Sequence, residues 1–167
     1  VSWERREDTT KKVISIVFGG TRQDIGSTKI DRQRPAVEGR SMEINGLVNV
    51  EGNYKLGNYG DVNGDGIDDL VLLGVQAQPE EGGLESARGY IYFGKAIDDV
   101  WPVDLTVSGA DVVLNFGDGW LWEDASIDSA GDFNNDGIND VIIGLPGHAI
   151  GGRAFLLLGR NDWPSSV

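Results

Sequence analysis

The chain has 167 residues, of which 27 are acidic and 14 are basic, giving a formal net charge of −13. A surface this negative repels nucleic-acid phosphates and anionic membranes, and the complete lack of cysteine excludes disulfides, thiolate metal sites and cysteine nucleophiles. The 25 glycines follow no collagen-like period and are typical of a strand-rich fold with many turns. No apolar run approaches the roughly 20 residues that span a bilayer, so we expect no membrane insertion. Because of the net negative charge, we also expect no nucleic-acid binding.

The first predicted strand covers residues 13–18 and ends at Gly19. The same unit recurs at residues 88–93 and 153–158, and a glycine again follows each copy. Between the first two copies, residues 21–45 are more polar and predict a loop followed by a weak outer strand. Three copies of one strand indicate a repeat protein, in which each unit buries its surface against its neighbours.

An acidic segment at residues 60–69 recurs at residues 131–140, and its first aspartates, Asp61 and Asp132, are 71 positions apart. A short aliphatic run follows each copy, at 70–73 and 141–143, and predicts a buried strand. A Trp-Pro pair follows the second and third copies of the first strand unit, and residues 103–107 after the first pair predict another strand.

Each acidic segment has the pattern Asp-x-Asn-x-Asp-Gly-x-x-Asp. Calcium takes six to eight oxygen ligands in flexible geometry, and alternate residues of a tight loop can direct their oxygens inward. Glycine at position six permits the sharp turn, and position seven would offer its backbone carbonyl. The predicted calcium ligands are Asp61, Asn63, Asp65, Ile67 (carbonyl) and Asp69 in the first loop, and Asp132, Asn134, Asp136, Ile138 (carbonyl) and Asp140 in the second.

Two other interpretations of the acidic loops stay open at the level of sequence. One is a metal-free turn, because Asn, Asp and Gly favour turns in any case. The other is an EF-hand or dockerin loop, which needs an acidic residue at position twelve. That position holds Leu72 and Ile143 here, and a strand follows each loop, which argues against this second interpretation.

The two loops, each continuing into a strand, and the later strand ending in Phe-Gly resemble the FG-GAP repeat of integrin α-subunit β-propellers and their bacterial relatives. The resemblance implies an all-β chain of propeller blades, each a four-stranded antiparallel sheet, with two structural calcium ions per chain. Residues 1–50 would form a partial blade, 51–120 a blade with the first calcium loop, and 121–167 a truncated blade with the second. The chain would then hold about two and a half blades of a ring of about seven.

Three further sequence features are candidate functional sites. Trp120 and Trp122 are separated by one residue, so they could lie on the same face of a strand. They could form a ligand-binding platform, but packing between blades is the simpler explanation. His148 lies in a glycine-rich segment and is better explained as an ordinary loop histidine than as a catalytic group or a metal ligand. The acidic pairs 80–81 and 98–99 are better explained as solvated loop residues than as the two catalytic carboxylates of a glycosidase.

We therefore expect a calcium-stabilised extracellular or cell-surface module for protein–protein adhesion or assembly, with a structural metal and no enzymatic activity. The alternative is a carbohydrate-binding module associated with a secreted enzyme. Expected partners are other blades of the same propeller, from copies of the chain or from other pieces of a precursor, and an extracellular protein or glycan ligand.

Overall fold

The structure is a computed structural model that describes residues 11–17, 41–48, 55–76, 86–96, 104–106, 109–118, 120–121, 125–148 and 151–167. The regular structure of these residues consists of twelve β-strands. They are β1 (Lys11–Val17), β2 (Ser41–Val48), β3 (Lys55–Asn58), β4 (Leu70–Gln76), β5 (Ser86–Tyr92), β6 (Asp104–Thr106), β7 (Val112–Asp118), β8 (Trp120–Leu121), β9 (Ser126–Gly131), β10 (Asp140–Leu145), β11 (Gly147–His148) and β12 (Arg153–Leu157).

These bounds confirm the all-β prediction for the described residues. The three copies of the first strand unit are β1, β5 and β12, and the aliphatic runs after the acidic loops are β4 and β10. The short strand predicted after the first Trp-Pro pair is β6. Within the described ranges, no helix has the length and apolar character needed to cross a membrane.

The central sheet has the order β3-β4-β5-β7, and every pairing in it is antiparallel. Its strands are therefore neighbours in the same order in which they follow along the chain. The aliphatic run of β4 suits an inner position, because such a strand is buried on both of its faces. Val71, Leu72 and Leu73 are indeed all buried.

The C-terminal sheet repeats the first three strands of the central sheet, in the order β9-β10-β12 and again antiparallel. β10 occupies the middle position that β4 has in the central sheet, and β12 corresponds to β5. The first strands of the two sheets, β3 and β9, contact each other. The two sheets thus have the same order of strands and are neighbours in the structure.

The N-terminal sheet contains β1, β2 and β6, and it includes a parallel pairing of β6 with β2. A similar parallel pairing occurs at the end of the chain, where Ser166 lies opposite Val113 of β7. Backbone hydrogen bonds of 2.8–3.0 Å join residues 165–167 to residues 113–115. We call this pairing the C-terminal clasp. Both parallel segments follow a Trp-Pro pair, so they are equivalent features of the repeat.

The main core lies between the central and C-terminal sheets. Phe116 of β7 and Phe155 of β12 place their ring centroids 5.2 Å apart across this contact. The buried apolar residues of the cluster are Val62, Val71, Leu73, Ile91, Val112, Leu114, Ala125, Val141, Ile143 and Leu145. On the opposite face of the central sheet, Leu72, Tyr90 and Tyr92 are also buried.

Candidate metal centre

The acidic loops occupy equivalent places in the two sheets. The first joins β3 to β4, and the second joins β9 to β10, so each links the first and second strands of its sheet. The apolar strands β4 and β10 begin directly at the last aspartate of each loop, Asp69 and Asp140. Burial of these strands therefore fixes one end of each loop against the core.

The predicted glycine turn at position six is confirmed in both loops. Gly66 has φ of +89° and Gly137 has φ of +90°, a region that side chains rarely adopt. Position four is also left-handed, with Gly64 at φ 78° and Asn135 at φ 60°. Asparagine tolerates this conformation better than most residues, which explains how the two loops keep one backbone path with different residues.

In the first loop, the side chains at positions one, three and five are held by the loop itself. The Asp61 carboxylate accepts hydrogen bonds from the backbone N–H groups of Gly64 (2.6 Å), Asp65 (3.1 Å) and Gly66 (2.7 Å). The Asn63 amide donates to Asp65 Oδ2 at 2.9 Å, and Asn63 Oδ1 accepts from the Asp65 N–H at 2.8 Å. These bonds bring Asp61, Asn63 and Asp65 to one exposed region of the loop.

The second loop reproduces this pattern. Asp132 accepts from the backbone N–H groups of Asp136 (2.9 Å) and Gly137 (2.8 Å). The Asn134 amide donates to Asp136 Oδ2 at 2.8 Å, matching the Asn63 bond in the first loop. Two loops with different neighbours thus reach the same arrangement, which indicates that their shared sequence determines it.

The isoleucine at position seven is half-buried in both loops. Its backbone N–H donates to the aspartate at position five, at 2.8 Å for Ile67 and 2.9 Å for Ile138. The Ile67 side chain lies against Gly94, and the Ile138 side chain lies against Gly159. A β-carbon at either glycine would also collide with a backbone carbonyl, so the close approach requires glycine.

The aspartate at position nine is separated from the exposed group and buried. Asp69 is 1% exposed, and its Oδ2 accepts from the backbone N–H groups of Val62 (2.8 Å) and Asn63 (3.2 Å). Its Oδ1 accepts from the Gly94 N–H at 2.7 Å, just beyond the end of β5. Asp69 therefore ties the start of its own loop to the third strand of the sheet.

Asp140 has the same role in the C-terminal sheet. It is fully buried and accepts from the backbone N–H groups of Phe133 (2.8 Å) and Gly159 (2.7 Å). The sequence predicts Asp69 and Asp140 as metal ligands and does not predict this bonding. The repeated glycine at the end of the third strand is the donor in both sheets, and it is the sequence feature from which the bonding could have been inferred.

Burial raises the pKa of Asp69 from 3.8 to about 6. The hydrogen bonds from Gly94 and Val62 oppose this rise in pKa, and the nearby charges of Asp65 and Asp61 add to it. A cation bound at this loop would favour the ionised form, because it would neutralise the mutual repulsion of these carboxylates.

The donor chemistry of the loops fits a hard divalent cation. Each loop offers carboxylate and amide oxygens, which are the hard donors that such an ion prefers. In the described ranges, no three acidic or histidine side chains form a group that could hold a metal by themselves. A calcium shell here would therefore need the asparagine, a backbone carbonyl and water besides the carboxylates.

The first loop also contacts the C-terminal sheet, which the sequence does not predict. The Asp61 carbonyl accepts from the Asn139 N–H at 2.9 Å. The Val62 carbonyl accepts from the Arg160 N–H at 3.0 Å and from the Trp163 indole N–H at 2.9 Å. Trp163 is also partly buried against the core cluster, so it packs and donates a hydrogen bond at the contact between the two sheets.

Two of the other candidate residues, His148 and Trp120, lie within the described part of the chain. His148 lies in β11, opposite Trp120 of β8 in a two-stranded ribbon. Trp122 and the acidic pairs 80–81 and 98–99 lie outside the described residues. A comparison with known protein families finds none whose model matches this chain.

Proposed function

We propose that the chain is a calcium-stabilised, extracellular β-propeller module for adhesion or assembly between proteins, in which the metal is structural. The observation that carries the proposal is the duplication of the acidic loop. Two segments 71 residues apart keep the same oxygen side chains, the same left-handed turns and the same hydrogen bond from the asparagine amide to the aspartate at position five. A turn that only reverses the chain does not need three carboxylates, which repel one another.

The sheet arrangement supports the propeller part of the proposal. The central sheet has the four antiparallel strands of a blade, in chain order. The C-terminal sheet has the first three, and the two sheets adjoin through their first strands. Together with the loop sequences, this favours a relationship to FG-GAP repeats, with calcium joining the first and second strands of each blade.

Calcium in this location stabilises the folded chain because the liganding geometry forms only on folding. Extracellular calcium modules typically bind with dissociation constants of about 10⁻⁴–10⁻³ M. At ten times the dissociation constant, each bound ion would add about 1.4 kcal/mol to the free energy of unfolding. Sites of that affinity would be filled outside the cell and mostly empty in a cytosol, so the proposed structural role of the metal is consistent with the proposed extracellular location.

The test is the number of calcium ions bound at equilibrium, measured by dialysis and by calorimetric titration. We expect two ions for the native sequence and one each for Asp65→Ala and Asp136→Ala. Asp128→Asn changes an exposed acid of β9 outside the loops and is the matched control, with two ions expected. No calcium bound by the folded native chain would refute the proposal and leave the metal-free turn. Binding of the loaded chain to a glycan array would favour the carbohydrate-binding alternative.

A further inference from the structure

Equivalent positions in the central and C-terminal sheets differ sharply in exposure. Val71 and Ile142 each lie two residues after the last aspartate of a loop, and they are 0% and 43% exposed. Ile91 and Leu156 each lie three residues before the glycine that follows the third strand, and they are 0% and 41% exposed. In the central sheet this face is covered by the C-terminal sheet, whereas in the C-terminal sheet it is open.

The acidic loops show the same contrast. Val62 and Phe133 both occupy position two of their loops, but Val62 is 1% exposed and Phe133 is 70% exposed. Val62 is covered by the segment after β12, whose Arg160 N–H and Trp163 indole bond its carbonyl. We call Phe133, Ile142, Leu156 and Leu158 the outer face of the C-terminal sheet.

The outer face is continuous across two strands, because Ile142 and Leu156 are direct cross-strand partners. β12 is the last strand in the described order of its sheet, whereas its equivalent β5 pairs with β7 on that side. The C-terminal sheet therefore combines an exposed apolar face with a strand edge. In the central sheet, the equivalent face is covered by the C-terminal sheet and the equivalent edge, that of β5, is paired with β7. Exposed apolar surface of this kind marks interaction sites.

We propose that the outer face docks one further repeat unit of this type, which carries its own acidic loop and Trp-Pro segment. The proposal rests on the assembly part of the proposed function and is independent of whether the loops bind calcium. The occupant is specified by the contact already present between the central and C-terminal sheets. It would offer an apolar sheet face, an indole N–H for the Phe133 carbonyl, and a strand equivalent to β7 for the edge of β12.

A second copy of the whole folded chain fits this surface less well. The faces that it would need to present are those that carry Leu72 in the central sheet and Ile143 in the C-terminal sheet. Both residues are already fully buried within the chain. The described strands of the N-terminal sheet, β1, β2 and β6, include neither an acidic loop nor an equivalent of the donors to Val62.

The test extends the full chain by one repeat and measures the accessibility of position 133. Val167 is equivalent to Leu105, so a second copy of residues 106–167 is appended after Val167 to continue the repeat in phase. The chain has no cysteine, so Phe133→Cys supplies a unique thiol for labelling. Ala96→Cys, at an exposed position of the central unit, is the matched thiol control. A chain extended by the same residues in scrambled order controls for length.

We expect thiol labelling at position 133 to slow by about tenfold or more in the repeat-extended chain. Labelling at position 96, and at position 133 in the scrambled extension, should keep the rate of the parent chain. Unchanged labelling at position 133 would overturn the proposal, whether the added unit folds elsewhere or stays unfolded. Protection in the parent chain that grows with its concentration would also overturn it, because the occupant would then be a second copy.

The labelling is run with calcium and with a chelator, alongside the calcium count. Protection in a chain that binds no calcium would sustain the docking proposal and refute the metal part of the proposed function. Two bound ions without protection of position 133 would support the metal part of the proposed function and refute the docking proposal.

Discussion

Replacing Asp69 by alanine tests whether its carboxylate holds the first loop in place independently of any metal. Three backbone N–H groups lose their acceptor, those of Val62, Asn63 and Gly94. An unsatisfied buried donor costs about 1–3 kcal/mol, and water can reach part of this loop, so we expect a loss of about 3–5 kcal/mol. This is a large fraction of the 5–15 kcal/mol that stabilises a typical domain.

The assay is urea unfolding in a calcium chelator, followed by tryptophan fluorescence. Asp65→Ala is the matched control, because Asp65 is exposed and its hydrogen bonds lie within the loop. We expect it to change the free energy of unfolding in chelator by less than about 1 kcal/mol. In calcium, both variants should lose the stabilisation that the ion provides. Equal losses for the two variants in chelator would refute the structural role assigned to Asp69.

The remaining predictions concern pH, packing and close backbone approach. In chelator, the pKa of Asp69 is raised from 3.8 to about 6, so the folded state binds this proton more tightly than the unfolded state. The free energy of unfolding should therefore fall as pH rises from about 4 to about 6, by up to about 3 kcal/mol, and Asp69→Asn should remove this slope in urea titrations. In saturating calcium the contribution should reverse, because the ion competes with the proton; a falling curve in both buffers would contradict this. Ile143→Ala should cost about 2–5 kcal/mol in urea unfolding, whereas Ile142→Ala, on the outer face of the same strand, should cost less than about 1 kcal/mol; equal costs would contradict the described burial. Gly94→Ala and Gly159→Ala should each cost about 1–3 kcal/mol, because a β-carbon there collides with a backbone carbonyl; midpoints like that of the native chain would show that the loop can move aside.

Some of the strands and turns could be predicted from local sequence signals, whereas β3, β7 and β9 were not predicted. The aliphatic runs gave β4 and β10, and the glycine at position six gave the left-handed turns at Gly66 and Gly137. Each of these features depends on residues that are neighbours in the chain. Repetition strengthened the prediction, because the same residue types recur at the same spacing.

The contacts that join distant segments could not be predicted. In the sequence, Asp69 cannot be distinguished from the other loop carboxylates. Its burial and its hydrogen bond to Gly94, which lies 25 residues later in the chain, depend on how β5 packs. The donation from Asn139 to the Asp61 carbonyl requires the relative placement of two sheets, which no local pattern contains. The parallel C-terminal clasp could not be predicted for the same reason.

The C-terminal clasp and its N-terminal counterpart bear on the order in which the chain folds. Four of the eight described strand pairings, β1-β2, β3-β4, β4-β5 and β9-β10, join strands that are consecutive in sequence, and such local pairings form at low entropic cost. The pairing of Val113 with Ser166, and that of β6 with β2, instead join a sheet to a segment from the following repeat. The N-terminal and central sheets are therefore completed only when the next repeat has been synthesised and has folded. Stability should then spread along the chain by nearest-neighbour coupling, so that a lesion in one repeat weakens the unit before it as well as its own.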